Sequence, residues 1–84
     1  MFKIIKFIVE LKLSGCDKNK IYVISGVNIE DEELKHRLKC FGFFINEKIE
    51  ILNYNYGRSC CLVKVMGVNY VIDKKLCEGI IVSV

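Results

Sequence analysis

Apolar and polar residues alternate along most of this chain with a period of two, and one central stretch switches to a helical period. Over residues 3–13, Ile5, Phe7, Val9, Leu11 and Leu13 fall on one side, with Lys6, Glu10 and Lys12 on the other. A helix is also open there, with Lys3, Lys6 and Glu10 as a polar stripe, but the β-branched and aromatic content favours a strand. Detached, that apolar face would be a sticky edge, so residues 3–13 are expected to belong to the folded domain. SGCDKNK is a turn-rich link. KIYVISGV reads as a strand with Tyr22 and Ile24 on one face and Ile21 and Val23 on the other. EKIEILNY sets Ile49 and Ile51 against Glu50 and Leu52, and NYNYGRS reads as a loop. CCLVKVM and VNYVI flank Gly67 as a compact hairpin. DKKLCEG reads as one helical turn capped by Asp73 and closed by Gly79, and IIVSV as a last strand that closes the sheet.

The helical stretch is NIEDEELKHRLKCFG. Asn28 is the expected N-cap. Glu30, Asp31, Glu32 and Glu33 fill the first turns and Lys35, Arg37 and Lys39 the later ones, an order that complements the helix dipole. Asp31 with Lys35 and Glu33 with Arg37 are i,i+4 pairs. Leu34, Leu38 and Phe41 form the expected buried stripe. Gly42 stands where a left-handed C′ residue is wanted, with Phe43 making the apolar contact behind it.

Several short strands with one helix inserted early predict a mainly β fold, a small partly open barrel, in one domain over residues 1–84. The chain has no proline, so its turns must use Gly and Asn. The net charge of +3 comes from 13 basic and 10 acidic residues. Its one dense basic cluster is balanced by acids on the same helix, so no nucleic-acid partner is expected. Cysteine occurs five times, an odd number, without C-x-x-C. That pattern points to a reducing, cytoplasmic location with thiols serving as small apolar residues. Lys6 and Glu10 interrupt the N-terminal apolar run below signal-peptide length. No stretch approaches the roughly 20 apolar residues of a membrane-spanning helix.

Glu32, His36 and Cys40 recur every four residues on one helical stripe, a carboxylate, imidazole and thiolate set that could meet Fe(II) or another divalent transition metal. The plainer reading is a solvated face with a half-buried cysteine, since no second cluster supplies further ligands. Cys60 and Cys61 are adjacent in a strand and point to opposite faces, one core and one exposed or at an interface. His36 is the only histidine. With no phosphate loop, G-x-S-x-G or paired catalytic acids, the chain is not expected to be an enzyme. Tyr54, Tyr56 and Arg58 in one loop could stack on bases, but the plainer reading has the tyrosines covering the barrel end.

The order of elements resembles the FeoA family. Leu13-Ser14 matches the family's opening pair, and Lys18-Asn19 stands for its Pro-Gly. Leu34-Lys35-His36-Arg37-Leu38-Lys39-Cys40-Phe41-Gly42-Phe43 matches its L-R-R-R-L-x-x-L-G-L helix. Ile45-Asn46 precedes Ile49-Glu50-Ile51 where the family has a second Pro-Gly before a V-x-V strand. Gly57, Gly67 and the apolar Ile80–Val84 complete the match. The resemblance covers residues 13–84 and leaves 1–12 as an N-terminal extension. Arg58-Ser59 replaces the family's Asp-Pro, and Asn replaces both turn glycines. The resemblance implies an SH3-like barrel and a non-catalytic accessory role in bacterial ferrous-iron uptake. The implied partner is the membrane iron permease FeoB, with Lys35, Arg37, Lys39, Tyr56 and Arg58 as candidate contact residues. A metal-responsive regulatory SH3-like domain and a small nucleic-acid-binding barrel are the alternatives. The oligomeric state is left open.

Overall fold

Alternating strands over an apolar interior, joined by short turns, make up most of the structure. The computed structural model of the chain describes residues 10–55 and 59–84. In chain order the elements are β1 (Glu10–Lys12), a 3₁₀ turn (Leu13–Gly15), β2 (Ile21–Val27), α1 (Glu32–Cys40), β3 (Lys48–Asn55), β4 (Cys60–Val65), β5 (Val68–Asp73), α2 (Lys74–Gly79) and β6 (Ile80–Ser83). All six strands pair antiparallel in one sheet, in the order β1-β6-β2-β3-β4-β5. Register shifts between Ile24 and Gly26 and between Ile51 and Asn53 bend the sheet in the manner of β-bulges. The β1 and β5 edges do not pair with each other. Instead α2 lies across the seam, touching β1 and the 3₁₀ turn on one side and β4 and β5 on the other. The result is the partly open, mainly β, SH3-like barrel with α1 inserted after β2.

The period-two pattern sets the core. Tyr22, Ile24, Ile49, Ile51, Cys61, Val63, Val65, Ile80 and Val82 all point inward and are buried. Cys61 is fully buried and Cys60 half-buried, the opposite-face arrangement expected of neighbours in a strand. Asparagine replaces proline-glycine chemistry at two turns, since Asn19 and Asn46 adopt left-handed φ values of 64° and 75°. The first turn is closed onto β3 and the second onto β2. Asn19 N–H donates to the Ile51 carbonyl at 2.6 Å, and Asn46 N–H to the Ile24 carbonyl at 2.7 Å. At the β4–β5 hairpin both turn residues, Met66 and Gly67, have positive φ, as a tight type I′ connection requires. Asp73 caps α2 by accepting from Leu76 N–H at 2.9 Å.

Six expectations change. Asn28 is not the cap of α1. Its N–H donates to the Gly79 carbonyl at 2.7 Å, and Asp31, directly before the first turn, accepts from Glu33 N–H at 3.0 Å and Leu34 N–H at 3.1 Å. With its carboxylate committed to the cap, Asp31 forms no ion pair with Lys35, whereas Arg37 does pair with Glu33 at 3.3 Å. Phe41 is 50% exposed instead of buried. It sits past the last turn, where its ring lies 5.5 Å from that of Tyr70, and Phe43 enters the core in its place. β6 does not close the sheet. It is an interior strand between β1 and β2, with Val82 set opposite Leu11 on one side and Ile24 on the other. Tyr54 belongs to β3, not to a loop. Its hydroxyl donates to the carbonyls of Leu13, at 3.1 Å, and of Cys16, tying the 3₁₀ turn to the sheet. Of the strand expected over residues 3–13, Glu10–Lys12 is β1, Leu13 enters the core from the 3₁₀ turn, and residues 1–9 lie outside the described residues.

Candidate interaction surface on the first helix

Helix α1 is held at both ends by its own sequence. Asp31 satisfies two first-turn donors. At the other end Gly42 takes φ 104°. Gly42 N–H then donates to the Lys39 carbonyl at 3.0 Å, and Phe43 N–H to the Leu38 carbonyl at 2.9 Å. That is a Schellman close, which needs a residue free of the Cβ penalty at C′. The close turns the chain so that Phe43 drops into the core while Phe44 and Ile45 stay out, 44% and 62% exposed. Leu38 is buried, Leu34 and Lys35 are half-buried, and the other residues of the helix are exposed.

Between α1 and the 43–45 segment runs a groove of about 420 Å³. Val27, Phe43, Phe44 and Ile45 supply its apolar surface, and Lys35 and Lys39 stand along the helix side. Lys35 is half-buried and Lys39 exposed. Neither is in an ion pair. A second depression of about 600 Å³ lies between the start of α1 and α2, where Glu30 and Asp31 face Lys75 across Ile29, Leu34 and Leu76. Its rim carries both charge signs, whereas the first groove offers a one-sign field beside an apolar floor.

The structure divides the candidate basic residues. Lys35 and Lys39, four apart, share the groove side. Arg37 is about 200° around the helix from Lys35, given roughly 100° per residue, and lines the opposite flank with Asp31, Glu33 and Leu34. Its guanidinium is engaged by Glu33. Tyr56 and Arg58 lie outside the described residues. Phe44, Ile45 and Val27 went unnoticed as surface residues in the sequence. The signal was there in Phe41-Gly42-Phe43-Phe44-Ile45, which holds more large apolar residues than one helix close can bury.

Glu32, His36 and Cys40 are all exposed. His36 Nε2 and Cys40 Sγ stand 3.8 Å apart. Eight residues of helix rise separate Glu32 from Cys40 by about 12 Å, so one ion cannot take all three donors. Among the described residues no three His, Cys, Asp or Glu side chains gather as a metal site. None of the five cysteines forms a disulfide in the structure. A side-chain hydrogen bond with Cys61, together with burial, pushes the Cys77 thiol far above the ordinary range. It therefore stays protonated and serves as packing under α2. No helix among the described residues is long and apolar enough to cross a membrane.

A family model described as FeoA domain matches residues 11–84. Among solved structures the chain is similar to the FeoA protein from Chlorobium tepidum, with 22% identity, a TM-score of 0.80, and coverage of 88% of this chain and 70% of that one. It is similar to Stenotrophomonas maltophilia FeoA complexed with zinc, with 19% identity, a TM-score of 0.75, and coverage of 86% of this chain and 88% of that one. That protein is described as a procaryotic SH3 domain protein and a candidate activating factor for ferrous iron transport. The same fold occurs within a manganese-dependent transcriptional repressor, at 10% identity and a TM-score of 0.81, over 94% of this chain and 44% of that one. Comparison with curated proteins finds no match.

Proposed function

Because the chain belongs to the FeoA family, a non-catalytic family linked to ferrous iron transport, we propose that it acts in the cytoplasm by binding and modulating the permease FeoB. The observation that carries the reading to a surface is the groove beside α1, where an apolar floor meets two lysines without acidic partners. An exposed apolar patch with a charged rim is the usual makeup of a protein contact. The lysines would steer an acidic segment of the permease and fix its register, while Phe44 and Ile45 supply the desolvated contact. Arg37, on the opposite flank, would contribute less, and Tyr56 and Arg58 remain candidate contacts from the sequence alone.

The test is a pull-down and binding titration with the cytosolic domain of the permease. Lys35→Glu combined with Lys39→Glu should weaken binding, mostly through the on-rate, and leave the melting temperature nearly unchanged. Surface lysines outside any ion pair, Lys35 half-buried and Lys39 exposed, contribute only about 0–1 kcal/mol to the fold. Arg37→Glu should weaken binding less. Equal loss from both variants, or none from the double variant, would remove the groove as the contact. A salt-sensitive shift with RNA or DNA in place of permease binding would favour the nucleic-acid alternative.

A further inference from the structure

Helix α2 bridges the open seam of the sheet, and a thiol from it meets a thiol from β4. Cys77 is 1% exposed and Cys61 fully buried. Their side chains are hydrogen-bonded to each other. The backbone accounts for that contact. Cys61 stands opposite Ile72 in the β4–β5 ladder, and the Cys77 side chain returns over the same rung, with Sγ 4.0 Å from the Ile72 carbonyl oxygen. Asp73 caps α2 directly after that rung, which fixes where the helix, and so Cys77, comes down on the sheet. The other three thiols are placed differently. Cys16 Sγ stands 3.4 Å from the Lys12 carbonyl of its own turn, Cys60 lies on the opposite face of β4, and Cys40 is exposed on α1.

Two thiols in contact from adjoining elements need little more than side-chain rotation to reach the S–S bond, whose specific geometry excludes most cysteine pairs. We propose that Cys61 and Cys77 form a redox latch, in which a peroxide-type oxidant joins them in a disulfide that fastens α2 to β4 across the seam. The electrons balance within the pair. One thiol takes an oxygen atom from hydrogen peroxide and becomes a sulfenic acid while one water leaves. The second thiol displaces that hydroxyl, which forms the S–S bond and releases a second water. Each sulfur is oxidised by one electron and the peroxide is reduced by two. Burial makes the pair slow to react, since the thiolate is the nucleophile and the closed site disfavours it. Reaction therefore proceeds through local opening of α2, a helix of six residues. Once made, the bond closes a loop of about 15 residues around β5. It also holds the helix against the β1 and β5 edges, which do not pair with each other. The latch stands apart from permease binding, because no residue of α2 or β4 lines the groove beside α1.

The experiment exposes the full, reduced chain to hydrogen peroxide at low protein concentration and follows intact mass, oligomeric state and melting temperature. Proteolysis with mass mapping then locates the bond. A chain carrying Cys40→Ser and Cys60→Ser, which silences the more accessible thiols, runs in parallel. Its expected product is a monomer about 2 Da lighter, the mass of the two thiol hydrogens lost. Both chains should show a disulfide linking Cys61 to Cys77. The melting temperature should rise by roughly 10 °C or more, and dithiothreitol should reverse the change. Cys77→Ala should form no such bond. Mapping on the wild-type chain decides the matter even where a core variant fails to fold. Cys61 and Cys77 recovered as thiols or as sulfinic acids, a disulfide from either one to Cys16 or Cys60, or an oxidised chain that melts no higher than the reduced one would each overturn the proposal.

Discussion

Replacing Gly79 with alanine sets two effects of opposite sign against each other, and the structure decides between them. Gly79 is the last residue of α2, and a helix ordinarily gains from alanine, by up to about 1 kcal/mol in an interior position. Here a Cβ would stand 2.8 Å from Ile29 Cγ1 and 2.9 Å from the Asn28 carbonyl oxygen. Favourable contact between carbons lies at about 3.5–4.0 Å. Ile29 can shift its side chain. The Asn28 carbonyl cannot, because the same residue's N–H is fixed to the Gly79 carbonyl at 2.7 Å. Overpacking of this kind costs about 1–3 kcal/mol, and the helix gain at a terminal residue offsets only part of it. The expected net loss is about 1–2 kcal/mol. In a domain of this size each kcal/mol moves the melting temperature by roughly 4–8 °C. Thermal and urea unfolding followed by circular dichroism would measure it. Gly15→Ala is the control, since nothing lies within 4 Å of a Cβ there. It should be neutral or stabilising by up to about 1 kcal/mol. A Gly79→Ala protein as stable as the wild type would refute the close approach of α2 to the 28–29 segment.

Leu38→Ala should cost about 2–5 kcal/mol, because Leu38 is only 4% exposed, and chemical denaturation reads it directly. Leu34→Ala, at a half-buried site, should cost clearly less. Asp31→Ala should destabilise by about 1 kcal/mol through loss of the cap, while Asn28→Ala should not show a capping loss. Equal effects from the two would place the start of α1 wrongly.

Turn chemistry was the most legible part of the fold. Asn19, Asn46, Gly42 and Gly67 all sit at positive φ, and each stood out because few residue types tolerate that conformation. Strand faces were legible for the same kind of reason, since Ile49 and Ile51 alternate with exposed or half-exposed neighbours. What escaped were facts settled by distant partners. That β6 lies between β1 and β2 depends on pairings such as Lys12 with Ile81 and Ile24 with Val82, which no local pattern encodes. Tyr54 looked like a loop residue because the turns holding its hydroxyl lie 38 and 41 residues earlier. The candidate surface was half legible. Lys35 and Lys39 belong together by helical spacing, but Arg37 was grouped with them by charge alone. The groove floor depended on which of Phe43 and Phe44 turned inward, and the chain direction after Gly42 decides that.

The interior position of β6 also bears on how the molecule is made. Residues 80–83 supply the strand to which both β1 and β2 are hydrogen-bonded, and two of the core side chains. A nascent chain emerging from the ribosome can form the β3–β4–β5 meander as soon as those residues clear the exit tunnel, because its pairings are local. β1 has no described partner until β6 arrives. β2 can already pair with β3, but β1 must wait until β6 is made, and the barrel is completed only at that step. A premature stop or a cut that removes only residues 80–84 should thus leave no smaller native domain behind, but a meander with an open core, the kind of species that chaperones and proteases intercept.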